Sequence, residues 1–170
     1  LQWAKSNDLA IVVVRSKDNK DRWICQLNVS NGSLKVLDHQ HDDAWIHGPG
    51  IGWSQWDEGI GWMPDDNTIW YQSEVSGYSH LYTYNISTDK KRQLTKGKFE
   101  VYNPRISQDE KYWYYESNEV APGERHVYRM DLDGKNTTQL TSMMGRSDGF
   151  ISPNGNKIAT RFSTATTPWE

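Results

Sequence analysis

The chain has 170 residues, 24% of them charged, with a net charge of −3, and it carries 9 Trp and 9 Tyr beside only 3 Phe. That length is enough to bury a core, while interspersed acids and bases leave no basic face for nucleic acid or anionic lipid. The single cysteine, Cys25, excludes an intrachain disulfide.

A core built from aromatics points to β-structure rather than helix. The longest apolar run, LAIVVV at 9–14, falls far short of the roughly 20 residues of a membrane helix. The opening LQWAKSNDLAIVVV has no charged n-region followed by an apolar h-region. The expectation is a soluble, unprocessed protein or a piece of a longer one.

In chain order, WAKSNDLAI from Trp3 opens a first blade-like copy, expected over 1–46. AIVVV reads as a strand packed on both faces, and Cys25, Leu27 and Val29 share one face of the next strand by period-2 alternation. The copy ends in DHQHDDAWIH, where His39, His41, Asp42, Asp43 and His47 raise the alternative of a zinc site. Structural zinc usually brings cysteines, so polar residues leaving a last strand explain the run as well, and no metal or cofactor is expected.

A non-repeated loop, HGPGIGWSQWDEG at 47–59, follows. It carries His47, Trp53 and Trp56 on glycine hinges, a candidate substrate-cavity or domain-interface loop, because departures from a repeat are free to serve specificity. The alternative is that the two indoles fill space between blades. Gly52-Trp53-Ser54-Gln55-Trp56 superficially resembles a nucleophile elbow, but Trp stands where the second glycine is required, so Ser54 reads as a loop serine.

The second copy, 60–96, resolves into GIGWM, TIWYQSE, HLYTYNI and KRQLT, separated by the turn formers PDDN, SGYS and STDK. The third, 101–142, repeats it 46 positions on: His80, Leu81 and Tyr82 fall on His126, Val127 and Tyr128, and the QLT at 93–95 falls on the QLT at 139–141. LNVSNGSLKVL at 27–37 aligns with YNISTDKKRQL at 84–94 at a longer spacing, which assigns the surplus to the 47–59 loop. FISPNGNKIATRF at 150–162 matches RISQDEKYWYY at 105–115 and starts another copy over 148–170.

Recurrence of His80 with His126 argues for packing or hydrogen bonding rather than catalysis, and Glu74 with Glu119 for a structural pairing. DLDGKN at 131–136 lacks the remaining ligands of a calcium loop and occupies a turn. The sequons at Asn28, Asn31, Asn85 and Asn136 fall at or beside turns, where such residues are wanted anyway.

Four short strands per unit of about 45 residues, without helical periodicity, are the signature of propeller blades. The expected fold is all-β: part of a β-propeller, about three and a half four-stranded antiparallel blades. Such a number cannot close a ring, which again points to a piece of a longer chain and leaves blade faces bare for a homo-oligomer.

The run IWYQSEVSGYSHLYTYN, with RQLTKGKFEV, SNEVAPGERHVYRMDLDG and ISPNGNK, resembles the N-terminal β-propeller domain of dipeptidyl peptidase IV-like members of the prolyl oligopeptidase family. The resemblance is specific from about Trp45 onward and weaker from Trp3 to Asp43. It implies a parent serine peptidase that removes dipeptides from peptide N-termini, often after proline. A C-terminal α/β-hydrolase domain of the same chain, carrying a Ser-Asp-His triad, would be the propeller's partner, and a periplasmic or extracellular location is implied.

The family's paired glutamates have no counterpart in context: Asp42-Asp43, Asp57-Glu58, Asp65-Asp66 and Asp109-Glu110 do not match, and no catalytic residue carries over. The alternative of another class is a non-enzymatic, protein-binding propeller of periplasmic type, whose repeats use phrases such as SPNGNKIA. A Gly-x-Ser-x-Gly elbow downstream in the gene would discriminate the two.

Overall fold

The computed structural model describes residues 1–5, 8–52 and 59–170. They form strands and turns, with no helix long and apolar enough to cross a membrane among the described residues. Two compact units are present, Leu1–Gln93 and Leu94–Glu170.

The first unit holds two antiparallel meanders. One is β1 (Gln2–Trp3), β2 (Leu9–Arg15), β3 (Asp21–Asn28) and β4 (Ser33–His41); the other is β5 (Ile60–Trp62), β6 (Thr68–Ser73), β7 (His80–Asn85) and β8 (Lys90–Gln93), each in sequential order. The turns follow their sequence chemistry. Asp65 Oδ1 accepts from the Asn67 and Thr68 amides at 3.0 and 2.8 Å while Asp66 takes φ 53°, and Asn19 in the β2–β3 turn and Asp89 in the β7–β8 turn adopt the left-handed region too. The acid pair Asp65-Asp66 thus shapes a turn.

The core of this unit joins Ile11, Ile24 and Leu37 of the first sheet to Ile60, Ile69, Tyr71, Tyr82 and Tyr84 of the second. Burying a side chain such as Ile24 or Ile69 is worth about 1.5–3 kcal/mol. The first sheet departs from the expected face in one respect. A register shift between Ile24 and Cys25 buries both neighbours, while Val29 lies past the end of β3 and is exposed. A bulge turns successive side chains toward one side, so simple alternation fails there. β2 is also not packed on both faces throughout, since Val14 is exposed.

Arg22 is buried in this unit, with Nη1 donating to the Gln72 carbonyl at 2.8 Å. Burial, aided by the Arg15 charge, lowers its pKa to about 10, so it keeps its charge at neutral pH.

The second unit holds β9 (Val101–Ile106), β10 (Tyr112–Ser117), β11 (His126–Asp131) and β12 (Thr138–Gln139) as a four-stranded meander, followed by the hairpin β13 (Arg146–Ile151) and β14 (Ile158–Ser163). Trp113, Tyr115, Val127 and Met130 are its most buried large side chains. The Arg125 amide donates to the Gly145 carbonyl and the Ser147 amide to the Arg125 carbonyl, at 2.9 and 2.8 Å, tying the hairpin to β11. Phe162 and Glu170 exchange both backbone bonds at 2.9 Å, so β14 has antiparallel partners on each side.

Candidate functional site

The 47–59 loop leaves the first sheet through a defined turn. Asp42 Oδ1 accepts from the amides of Ala44 and Trp45 at 2.8 and 3.2 Å. Ile46 is then buried, its amide donating to the Asn19 carbonyl and its carbonyl accepting from Asn19 Nδ2, both at 2.8 Å. From there six hydrogen bonds pin the described ends of the loop.

The His47 amide donates to Glu74 Oε1 at 3.0 Å, and the Pro49 carbonyl accepts from Ser79 Oγ at 2.7 Å. The Ile51 amide closes a turn onto the Gly48 carbonyl at 3.0 Å, and the Gly52 carbonyl accepts from Arg15 Nη2 at 3.3 Å. At the far end the Gly59 amide donates to the Gly50 carbonyl at 3.2 Å, and the Gln72 amide to the Gly59 carbonyl at 2.7 Å. Gly50 and Gly59 thus form a neck, closed against Gln72.

Glycine is required there. Gly50 has φ 69°, and a Cβ on it would stand 1.8 Å from Gln72 Oε1; a Cβ on Gly59 would stand 2.4 Å from the same atom and 2.6 Å from the Gly50 carbonyl. At Gly59 a side chain would meet backbone, and at Gly50 it would meet the left-handed φ and force the buried Gln72 amide to move.

Of the residues expected to serve this loop, His47 is exposed, with Nε2 3.6 Å from the position of a Cβ on Gly52. Trp53 and Trp56, together with Ser54, lie outside the described residues. Glu74 finds its role as the acceptor for the loop's first amide. Its counterpart Glu119 lies in the wall of a small cavity with Tyr115 and Met130.

The histidines expected as alternative zinc ligands are arranged around a carboxylate instead. His39 Nε2 and His41 Nδ1 lie 2.7 and 2.9 Å from Asp21 Oδ1, and His41 Nε2 lies 3.3 Å from Asp43 Oδ1. Trp23 stacks flat on His39 at 5.0 Å, and Asp42 is occupied with its turn. The bond to Asp21, with that to Asp43, raises the pKa of His41, and the bonds from His39 and His41 lower that of Asp21. No group of three His, Cys, Asp or Glu among the described residues is disposed to hold a metal ion.

His126 is buried between Glu124 Oε2, 3.0 Å from Nε2, and Thr141 Oγ1, 3.4 Å from Nδ1, in a structural setting. Sequence reasoning passed over Arg22, Gln72 and the arginines around Asp148. The only local hint was the pairing of opposite charges two residues apart at Arg146 and Asp148.

Comparison with known proteins then gives the arrangement its context. A dipeptidyl peptidase 4 of Arthroderma otae is 35% identical over 71 residues, 41% of this chain and 9% of that protein. The crystal structure of Porphyromonas gingivalis dipeptidyl peptidase 4 superposes with a TM-score of 0.75 at 22% identity, covering 95% of this chain and 22% of that one. TolB from Acinetobacter baumannii superposes with a TM-score of 0.59 at 19% identity, over 94% of this chain and 36% of that one. The chain therefore spans a small part of the relatives it matches, and the fold is part of a β-propeller. Since the family model described as dipeptidyl peptidase IV (DPP IV) N-terminal region matches residues 1–169, the chain belongs to that family.

Proposed function

We propose that this chain is the gating and substrate-orienting part of a longer serine peptidase that removes dipeptides from peptide N-termini. The match of the family model over residues 1–169 carries the reading. In it, catalysis belongs to a C-terminal α/β-hydrolase domain of the parent chain, peptide substrate passes the propeller, and the protein works in the periplasm or outside the cell. The repeats at 1–46, 60–96, 101–142 and 148–170 act as blades, with homo-oligomer formation through exposed blade faces.

The loop with His47, Trp53 and Trp56 contributes either to the substrate cavity or to the contact with the hydrolase domain. The pinned neck supports both roles, because it fixes where the loop leaves and rejoins the sheets.

The test compares the full-length parent with this chain on a chromogenic dipeptide with proline second, with and without a serine-directed phosphonate. The expected result is a phosphonate-sensitive parent beside an inactive 170-residue chain. A silent parent would sink the peptidase reading. It would leave the second one, a protein-binding propeller of periplasmic type, with whose fold the likeness to TolB over 94% of the chain is compatible.

A further inference from the structure

The second unit contains a cavity of about 550 Å³ lined by Arg105, Glu116, Arg146, Asp148, Phe150 and Arg161 among others. The size suits a small ligand. Its charges do not balance. Asp148 is buried and fully engaged, Oδ1 accepting from Arg146 Nε at 2.9 Å and Oδ2 from Arg161 Nη2 at 2.7 Å. Burial works against its ionisation, but the two guanidiniums outweigh it and hold its pKa below the usual carboxylate range.

Glu116 is 3% exposed, with Oε2 accepting from Asn103 Nδ2 at 3.3 Å and lying 3.9 Å from Arg125 Nη1. In the lining, the carboxylates of Asp148 and Glu116 thus face the three guanidiniums of Arg105, Arg146 and Arg161. Arg105 donates from Nη2 to the Gly149 carbonyl, a neutral acceptor, and its charge also favours the Glu116 carboxylate, so the three cations exceed the two acids by one.

The guanidiniums are also held in place. Arg146 and Arg161 lie between Asp148 and the Trp169 ring, 5.1 and 4.4 Å from its centroid. Each uses one nitrogen on Asp148, so the remaining donors of both forks stay oriented without further ordering cost. Beside them Phe150 is 60% exposed and offers an apolar wall.

We propose that this cavity binds the C-terminal carboxylate of a short peptide, gripped by Arg105 with the outward donors of Arg146 and Arg161, and with an apolar side chain against Phe150. A carboxylate is favoured over phosphate because three guanidiniums against two carboxyl groups leave room for one added negative charge, and burial and Asp148 already press Glu116 toward its neutral form. That the ligand is a peptide rests on the peptidase reading above; that it bears a carboxylate rests on the cavity alone.

The test is calorimetric titration of the full-length parent, its active-site serine blocked with phosphonate, using glycyl-phenylalanine, its C-terminal amide and inorganic phosphate as probes. The free acid should bind at least tenfold more tightly than the amide. Arg105→Gln should weaken the acid at least tenfold and leave the amide unchanged, and an equal concentration of phosphate should not displace the dipeptide. Equal binding of acid and amide, insensitivity to Arg105→Gln, or displacement by phosphate would overturn the proposal. Should that variant misfold by circular dichroism, Arg105→Lys and Phe150→Ala, with the acid–amide comparison on the unaltered protein, decide. Dipeptide hydrolysis is measured separately on unblocked protein. Binding without hydrolysis rejects only the peptidase reading, and hydrolysis without binding rejects only the cavity's ligand.

Discussion

At the scale of single residues, Gly50 and the Asp21 cluster make the sharpest statements. The left-handed backbone at Gly50 costs a non-glycine residue about 1–2 kcal/mol, and the collision with Gln72 Oε1 adds to it. Gly50→Ala should therefore destabilise by at least that much, read as a lower midpoint in urea with an unchanged m-value. Gly32→Ala, at φ 72° with nothing near its Cβ position, should cost only the backbone share.

At Asp21 the sign of the pH dependence is fixed by two opposite shifts. His41 has a raised pKa, so its contribution is complete below the ordinary value of about 6.5 and is lost as pH rises through the folded value. Asp21 has a lowered pKa, so its contribution is present above about 3.9 and fades as pH falls through its folded value. The cluster is therefore most stabilising between those limits. NMR titration should place the His41 midpoint above that of a model histidine, and Asp21→Asn should bring it down; a midpoint that does not move would refute the assignment.

At the scale of elements, the repeat acquires a physical content beyond its period. In the second sheet Tyr71 and Tyr82 are cross-strand partners stacked at 5.9 Å, and in the third Tyr115 and Tyr128 are partners stacked at 5.5 Å. Desolvation raises the pKa of all four, that of Tyr128 to about 12, so the hydroxyls stay neutral over the whole working range. A double-mutant cycle of Tyr115→Leu with Tyr128→Leu should return a coupling of about 0.5–1.5 kcal/mol. Coupling near zero would mean that the pair contributes only its separate burial.

Trp113 in β10 is fully buried and donates from Nε1 to the Leu132 carbonyl at 3.3 Å. Trp113→Ala should cost about 3–5 kcal/mol in chemical denaturation. Val36→Ala, at an exposed position of β4, should stay within about 0.5 kcal/mol.

At the scale of the whole molecule, function divides between what the repeat builds and what departs from it. Glu74, Ser79, Gln72 and Arg15 secure the ends of the 47–59 segment to the sheets. If the loop meets substrate in the parent enzyme, Trp53→Ala and Trp56→Ala should each raise KM on dipeptide substrates by about tenfold, the loss expected for about 1.4 kcal/mol of binding. kcat and the unfolding midpoint should change little. A fall in stability with KM unchanged would assign both tryptophans to packing instead.

The sequence by itself determined the blades, because period-2 alternation, turn residues and the 46-residue recurrence are local features that each sheet must satisfy alone. HLYTYNI and VYRMD announce their buried faces, and PDDN and QDEK their corners, where Asp66 and Glu110 take the left-handed backbone. The expected face failed at Val29 because β3 ends at Asn28, and at Ile24 and Cys25 because a register shift is set by the partner strand; period counting within one strand sees neither.

What the tertiary structure alone decided were the long-range meetings of polar groups. Gln72 against Gly50 and Gly59, Arg22 on the Gln72 carbonyl, and Arg105 on the Gly149 carbonyl join residues distant in sequence. Asp148 between Arg146 and Arg161 depends on strand register, which pairs Asp148 with Arg161 across the hairpin. Charge and hydrogen bonding act through space over a few ångströms, whereas sequence patterns report only the faces of the element that carries them.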